Sequence, residues 1–133
     1  MKTFRIGKLA KETGLGIETI RFYERKKLIK DPPRRESGYR DYPEETIEQL
    51  KFIKNAKDLG FTLSEIKELL DLSSKAWTTA GDIKKQAEKK VDQIEYKIKM
   101  LKGMRDNLKD LIEKCSGKGP KIKCPILKKI KGK

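Results

Sequence analysis

The chain contains no histidine, and that absence narrows its chemistry sharply. Without imidazole there is no Ser/His/Asp set, and the usual thiolate-and-imidazole mixture of a zinc site is out of reach. No phosphate loop appears either, so an enzyme reading is set aside. Cysteine is scarce: Cys115 and Cys124 are the only two. Long apolar runs are missing. No stretch approaches the ~20 residues of a membrane span, and the first residues lack a signal-peptide core, so a cytoplasmic protein with no membrane partner is expected. In such a reducing compartment a cysteine pair is more often a ligand set or redox group than a structural disulfide. Acid is short as well. Twenty Asp and Glu face thirty-four Lys and Arg, and the net charge of +14 suggests an anionic polymer or surface as partner. Apolar residues reach only 35% of 133, thin for a compact monomer, which points to long solvent-rich helices or an oligomer.

What is present is mostly helical in period. Ile6, Leu9 and Ala10 predict a short helix that stops at Gly14, and "IETIRFYERKK" (Ile17 to Lys27) predicts a second. Two short helices about a glycine turn form a helix-turn-helix, whose second helix normally enters the DNA major groove. "KDPPRRESGYRDY" (Lys30 to Tyr42) breaks that period; its prolines, Gly38, Tyr39 and Tyr42 suit a small hairpin wing carrying Arg34, Arg35 and Arg40. Pro43, Glu44 and Glu45 open a third helix running to Gly60, with Ile47, Leu50, Ile53 and Leu59 available for a core. Thr62 and Glu65 form a capping box for a fourth. After the polar stretch Ser73 to Asp82, apolar residues from Ile83 to Leu111 step by three or four while the other faces stay charged. So narrow a stripe over ~30 residues is a coiled-coil seam, and one helix cannot bury its own seam. A second copy is the simplest partner. The expected organisation is mainly α: a winged helix-turn-helix domain at 1–72, a hinge at 73–81, a dimerisation helix at 82–114, and a loop with a short helix at 115–133.

"FRIGKLAKETGLGIETIRFYERKKLI", "RRESGYRDY" and "LKFIKNAKDLGFTLSEIKELL", followed by the long helix, closely resemble the MerR family of bacterial transcription regulators. The resemblance covers essentially the whole chain. It implies an antiparallel coiled-coil homodimer and binding to a pseudo-palindromic operator. It also implies activation by distorting promoter DNA so that RNA polymerase can use it. Thr19, Arg21 and Tyr23 carry the polar groups of the second helix, where Arg21 can fork to phosphate or guanine and Tyr23 can reach phosphate. Arg34, Tyr39 and Arg40 match wing positions that grip the backbone, and Lys8 and Lys11 add phosphate contacts. The bland alternative leaves Tyr39 and Tyr42 packing the wing onto the second helix and the arginines as solvated surface. Lys27 stands where the family usually has glycine, in a place that calls for a left-handed backbone.

The stretch "CSGKGPKIKCPIL" (Cys115 to Leu127) holds both thiols. Cys115 ends the long helix, and Pro125 makes Cys124 the N-cap of a final short helix, Pro125 to Lys131, where a thiol is poised as thiolate. Glycines between them let the sulfurs converge, and Ile122, Ile126 and Leu127 could dry the site. That describes a two-thiolate clamp for a soft metal; a reversible disulfide and a pair of bystander thiols are the alternatives. The metal-sensing branch of the family places two cysteines at comparable spacing here. Its divalent sensors add a cysteine at the start of the dimer helix of the other subunit, where this chain has Ala80. Lys84 aligns with a lysine that balances the charged dithiolate in copper-sensing relatives, although these usually carry serine at the position of Ala80. The resemblance therefore implies Cu(I), Ag(I) or Au(I), one per subunit, with Hg(II) or another divalent metal and a thiol–disulfide switch as alternatives. An architectural DNA-binding protein would use the same basic surface but would have no need of the cysteine pair. Trp77 is expected to pack beneath the effector loop.

Overall fold

The computed structural model describes residues 3–30, 32 and 41–133. It is mainly helical: β1 (Thr3–Phe4), α1 (Ile6–Thr13), α2 (Ile17–Arg25), β2 (Tyr42–Pro43), α3 (Glu45–Asp58), α4 (Leu63–Ser74), α5 (Ala80–Lys114), a single 3-10 turn (Lys121–Lys123) and α6 (Pro125–Ile130). The chain divides into two compact units, Met1–Gln86 and Ala87–Lys133.

The first unit is built around the glycine turn. Gly14 closes α1 in a left-handed conformation (φ 74°), and its N–H donates to the Ala10 carbonyl. Thr13 holds the turn from inside: its hydroxyl donates to the Leu9 carbonyl at 2.7 Å and accepts from the Leu15 N–H at 3.3 Å. Lys54 of α3 donates to the Thr13 carbonyl, tying the turn to the next helix. Leu9 and Ile20, on either side of this turn, belong to a core with Tyr42, Leu50, Ile53 and Ile66, all fully buried. Burial of this kind stabilises by about 1.5–3 kcal/mol per large side chain.

β1 and β2 form a two-stranded antiparallel ribbon, Thr3 opposite Pro43 and Phe4 opposite Tyr42. A strand at Tyr42 was expected from the sequence, but its partner was not: it is the start of the chain. Because Pro43 belongs to this ribbon, α3 begins at Glu45, two residues later than its proline suggested. Tyr42 fixes the end of α2 by donating to the buried Glu24 carboxylate at 2.8 Å. The other wing residues singled out above, Arg34, Arg35, Gly38, Tyr39 and Arg40, lie outside the described residues.

Two helices end in the same motif with different residues. At the end of α3 the Gly60 N–H donates to Lys57 and the Phe61 N–H to Ala56, with Gly60 at φ 93°. This is the Schellman arrangement, which needs a left-handed residue at its pivot. It corrects the expectation for Leu59: the residue is the C-cap and its side chain stands 69% exposed, while Phe61 packs on the core in its stead. At the end of α2 the Lys27 N–H donates to Glu24 and the Leu28 N–H to Tyr23, so Lys27 is the pivot and takes φ 61°. A β-carbon costs about 1 kcal/mol in that region. Lys27→Gly should therefore raise stability by about 1 kcal/mol in a denaturant titration; a loss of stability would mean that the lysine side chain makes a compensating contact.

The capping box expected at α4 is present in both directions: Thr62 accepts from the Glu65 N–H and the Glu65 carboxylate accepts from the Thr62 N–H. A second box was not foreseen. Thr79 and Asp82 exchange the same pair of bonds at 2.9 and 3.2 Å, and α5 starts at Ala80, two residues before the expected Asp82. The Thr79 N–H and hydroxyl also hold the Asp82 carboxyl below its ordinary range. Trp77, in the preceding loop, is exposed in the single chain.

α5 then runs for 35 residues. Ile83, Val91, Ile94, Ile98, Leu101, Met104, Leu108 and Ile112 are all exposed along it.

Candidate nucleic-acid interface and metal centre

On α2, Ile20, Tyr23 and Glu24 turn inward, while Glu18, Arg21 and Arg25 face solvent. Arg21 meets the first requirement for a DNA contact. Its guanidinium is paired with Glu18 one turn back at 3.2 Å, and both side chains are well exposed. Such a pair is worth less than about 1 kcal/mol and yields readily to a phosphate or base edge. Thr19 is half-buried beside it. Lys8 of α1 is likewise exposed and paired with Glu12 at 3.4 Å, and Lys11 is exposed.

Tyr23 is 5% exposed, sits in the core cluster and stacks at a tilt 6.0 Å from Phe22, and burial raises its phenol pKa. The ring packs in the core and props the helix. Arg25 was overlooked in the sequence. It lies four residues after Arg21 on the same exposed face, its guanidinium 6.0 Å from the Phe22 ring centroid. Helical spacing from Arg21 was the signal that could have found it.

The two thiols do converge. Cys115 follows α5 directly, its N–H donating to Ile112, and Cys124 is the N-cap of α6, with Pro125 at the first helical position. Gly117 and Gly119 adopt left-handed backbones (φ 73° and 87°) between them, which lets a nine-residue separation close until the sulfurs are 3.8 Å apart. The Leu127 backbone N–H holds the Cys124 thiol below the ordinary thiol range, opposed by burial and aided by the Ile126 N–H and the Cys115 thiol. None of these N–H groups closes a full capping hydrogen bond to the sulfur.

Both cysteines are half-buried at the edge of a hollow of about 420 Å³ lined by loop residues, Pro125 and Leu127. Ile122 does not dry it: the side chain is 74% exposed, because the 3-10 turn at Lys121–Lys123 turns it outward. Among the described residues, no group of three or more His, Cys, Asp or Glu side chains gathers in metal-binding geometry. Ala80 is the first residue of α5 and Lys84 stands exposed one turn on, both in the first compact unit, whereas the cysteines belong to the second.

A helix-turn-helix with an exposed arginine face on its second helix defines a DNA-binding regulator rather than an enzyme. Comparison with known proteins gives the family. Residues 4–73 match the MerR HTH family regulatory proteins and residues 47–111 match the MerR DNA-binding family. The chain is 41% identical to the mercuric resistance operon regulatory protein of Bacillus cereus, covering 96% of each chain. It is 41% identical to the transcriptional regulator CueR of Yersinia pestis, covering 96% of this chain and 91% of that one. Among solved structures it resembles the regulator PbrR691 of Ralstonia metallidurans in complex with lead(II), at a TM-score of 0.85 and 31% identity over 96% of this chain and 98% of that one. This protein belongs to the MerR family of helix-turn-helix transcription regulators.

Proposed function

We propose that the protein is a metal-responsive activator that reads a soft monovalent ion, Cu(I), Ag(I) or Au(I), through Cys115 and Cys124. The observation that carries this reading is the pair of sulfurs 3.8 Å apart at the end of the long helix, one already biased toward thiolate. At 3.8 Å the two sulfurs are in thiol–thiol contact, close enough that one soft ion would be held by both. When bound, such an ion supplies two strong soft-ligand bonds that lock the loop, and one chain contributes both of them.

On this reading the protein works as a homodimer through the α5 stripe and holds one ion per subunit. Arg21, with Thr19 and Arg25 on α2, addresses the major groove of a pseudo-palindromic promoter; Lys8 and Lys11 contact phosphates. Arg34, Tyr39 and Arg40 grip the flanking backbone. Loading then alters the promoter DNA so that RNA polymerase can use it. Lys84 balances the single negative charge of the dithiolate, since a buried charge must be matched, and Ala80 withholds the third sulfur a divalent ion would use. Hg(II) is the second reading. It too accepts two thiolates, and a relative is named for mercuric resistance.

Transcription in vitro from the cognate promoter tests the proposal. Cu(I) and Ag(I) should raise transcript yield at constant operator occupancy, and Zn(II) should not; equal induction by Zn(II) would overturn it. The DNA contact has its own test. Arg21→Ala should weaken operator binding by about 1–3 kcal/mol and reduce the salt slope by about one, because a charge-assisted contact is lost. Unchanged affinity at two salt concentrations would place Arg21 away from the DNA.

A further inference from the structure

The positive charge of this chain is not concentrated where DNA binding would put it. Residues 115–133 contain seven lysines and no acidic residue, so half of the net +14 lies in the cysteine loop and the short helix after it. Three of these side chains have a definite place: Lys118, Lys121 and Lys123 join Lys114, from the end of α5, in lining the 420 Å³ hollow that both cysteines border. All four are exposed, and Lys114 is already paired with Asp110 at 2.9 Å. A single dithiolate-bound ion carries one negative charge, and one lysine suffices to match it. Three more around a hollow of ligand size call for a larger anion.

In a thiol-rich compartment a soft ion travels as a thiolate complex rather than as a free cation. We propose that the lysine-lined hollow beside Cys115 and Cys124 is a docking site for an anionic thiolate carrier, a small thiol bearing carboxylates, from which the ion is taken by ligand exchange. This rests on the two-thiolate reading above. The exchange balances without an oxidant. The Cys124 thiolate forms a bond to the ion as one carrier sulfur leaves and takes up a proton; the Cys115 thiol gives up its proton as its sulfur displaces the second. The ion keeps its oxidation state, and two carrier thiols are released. The lysines hold the carrier's carboxylates while this happens. A cleft lined by one sign of charge raises association rates by about 10–10³.

The test is anaerobic stopped-flow loading of the full chain with Cu(I) presented either as its mercaptosuccinate complex or as its mercaptoethanol complex, followed by thiolate-to-metal absorption in the ultraviolet. Loading from mercaptosuccinate should be at least about tenfold faster in low salt and should fall steeply with ionic strength, whereas loading from mercaptoethanol should change little. In the Lys118→Gln, Lys121→Gln, Lys123→Gln triple variant the advantage should vanish while the final stoichiometry stays at one ion per chain. Should the variant misfold, the salt dependence of the unaltered protein still decides. Equal rates and equal salt dependence for the two donors would overturn the docking site but leave the clamp standing. Failure to load from either donor would remove the clamp, and the docking site with it.

Discussion

Serine in place of either Cys115 or Cys124 should abolish metal-induced transcription while leaving operator affinity within about twofold of the unaltered protein. A two-donor site has no redundancy, so removing one sulfur removes half the ligand field, and a hydroxyl is too hard and too weakly acidic to replace it. The loss in ion affinity should reach at least about three orders of magnitude, or about 4 kcal/mol. The fold should survive both changes. Cys115 lies beyond the last turn of α5, and serine at position 124 is a good N-cap for α6. Competition with a Cu(I) chelator gives the affinity, and fluorescence anisotropy on labelled operator gives DNA binding. Full induction in either variant would mean that the ion is held by other groups. Loss of operator binding would mean that the loop is needed to assemble the DNA-binding surface.

The second large effect is expected on assembly. Ile98 lies near the middle of α5 and is 45% exposed on the apolar stripe. Parallel or antiparallel, a pairing of two such helices places their middles against each other, so Ile98→Lys puts two ammonium groups into one short stretch of seam. Burying each unpaired costs several kcal/mol. The dimer dissociation constant should rise by at least about a thousandfold, and sedimentation at micromolar concentration should show monomer where the unaltered chain sediments as dimer. Operator binding should fall with it, since the two half-sites lose their link. A monomeric unaltered chain, or a variant that stays dimeric, would sink the seam.

The helices, their order and three of their caps were legible because each rests on local chemistry. Gly14 stops α1, Thr62 and Glu65 start α4, and Pro125 starts α6, and the structure has each of these features. The errors came from contacts made at a distance or from side chains whose spacing fits two fates. Leu59 continued the apolar spacing of α3, but the Schellman turn at Gly60 ends the helix first and hands the core position to Phe61. The partner of Tyr42 and Pro43 is forty residues away at Thr3 and Phe4, and nothing local announced it. At the cysteine loop the convergence was legible from two glycines and a proline. The outward turn of Ile122 was not, because it depends on the 3-10 turn between them. Nor was the lysine lining of the hollow, which only the folded loop brings together.

X-ray absorption at the metal edge of the Cu(I)-loaded protein tests the central claim most directly. Two thiolates in one chain, no histidine and an alanine at the start of α5 predict two sulfur neighbours at short distance and no nitrogen or oxygen in the first shell. Three or four neighbours, or any light-atom ligand at bonding distance, would contradict the two-coordinate clamp.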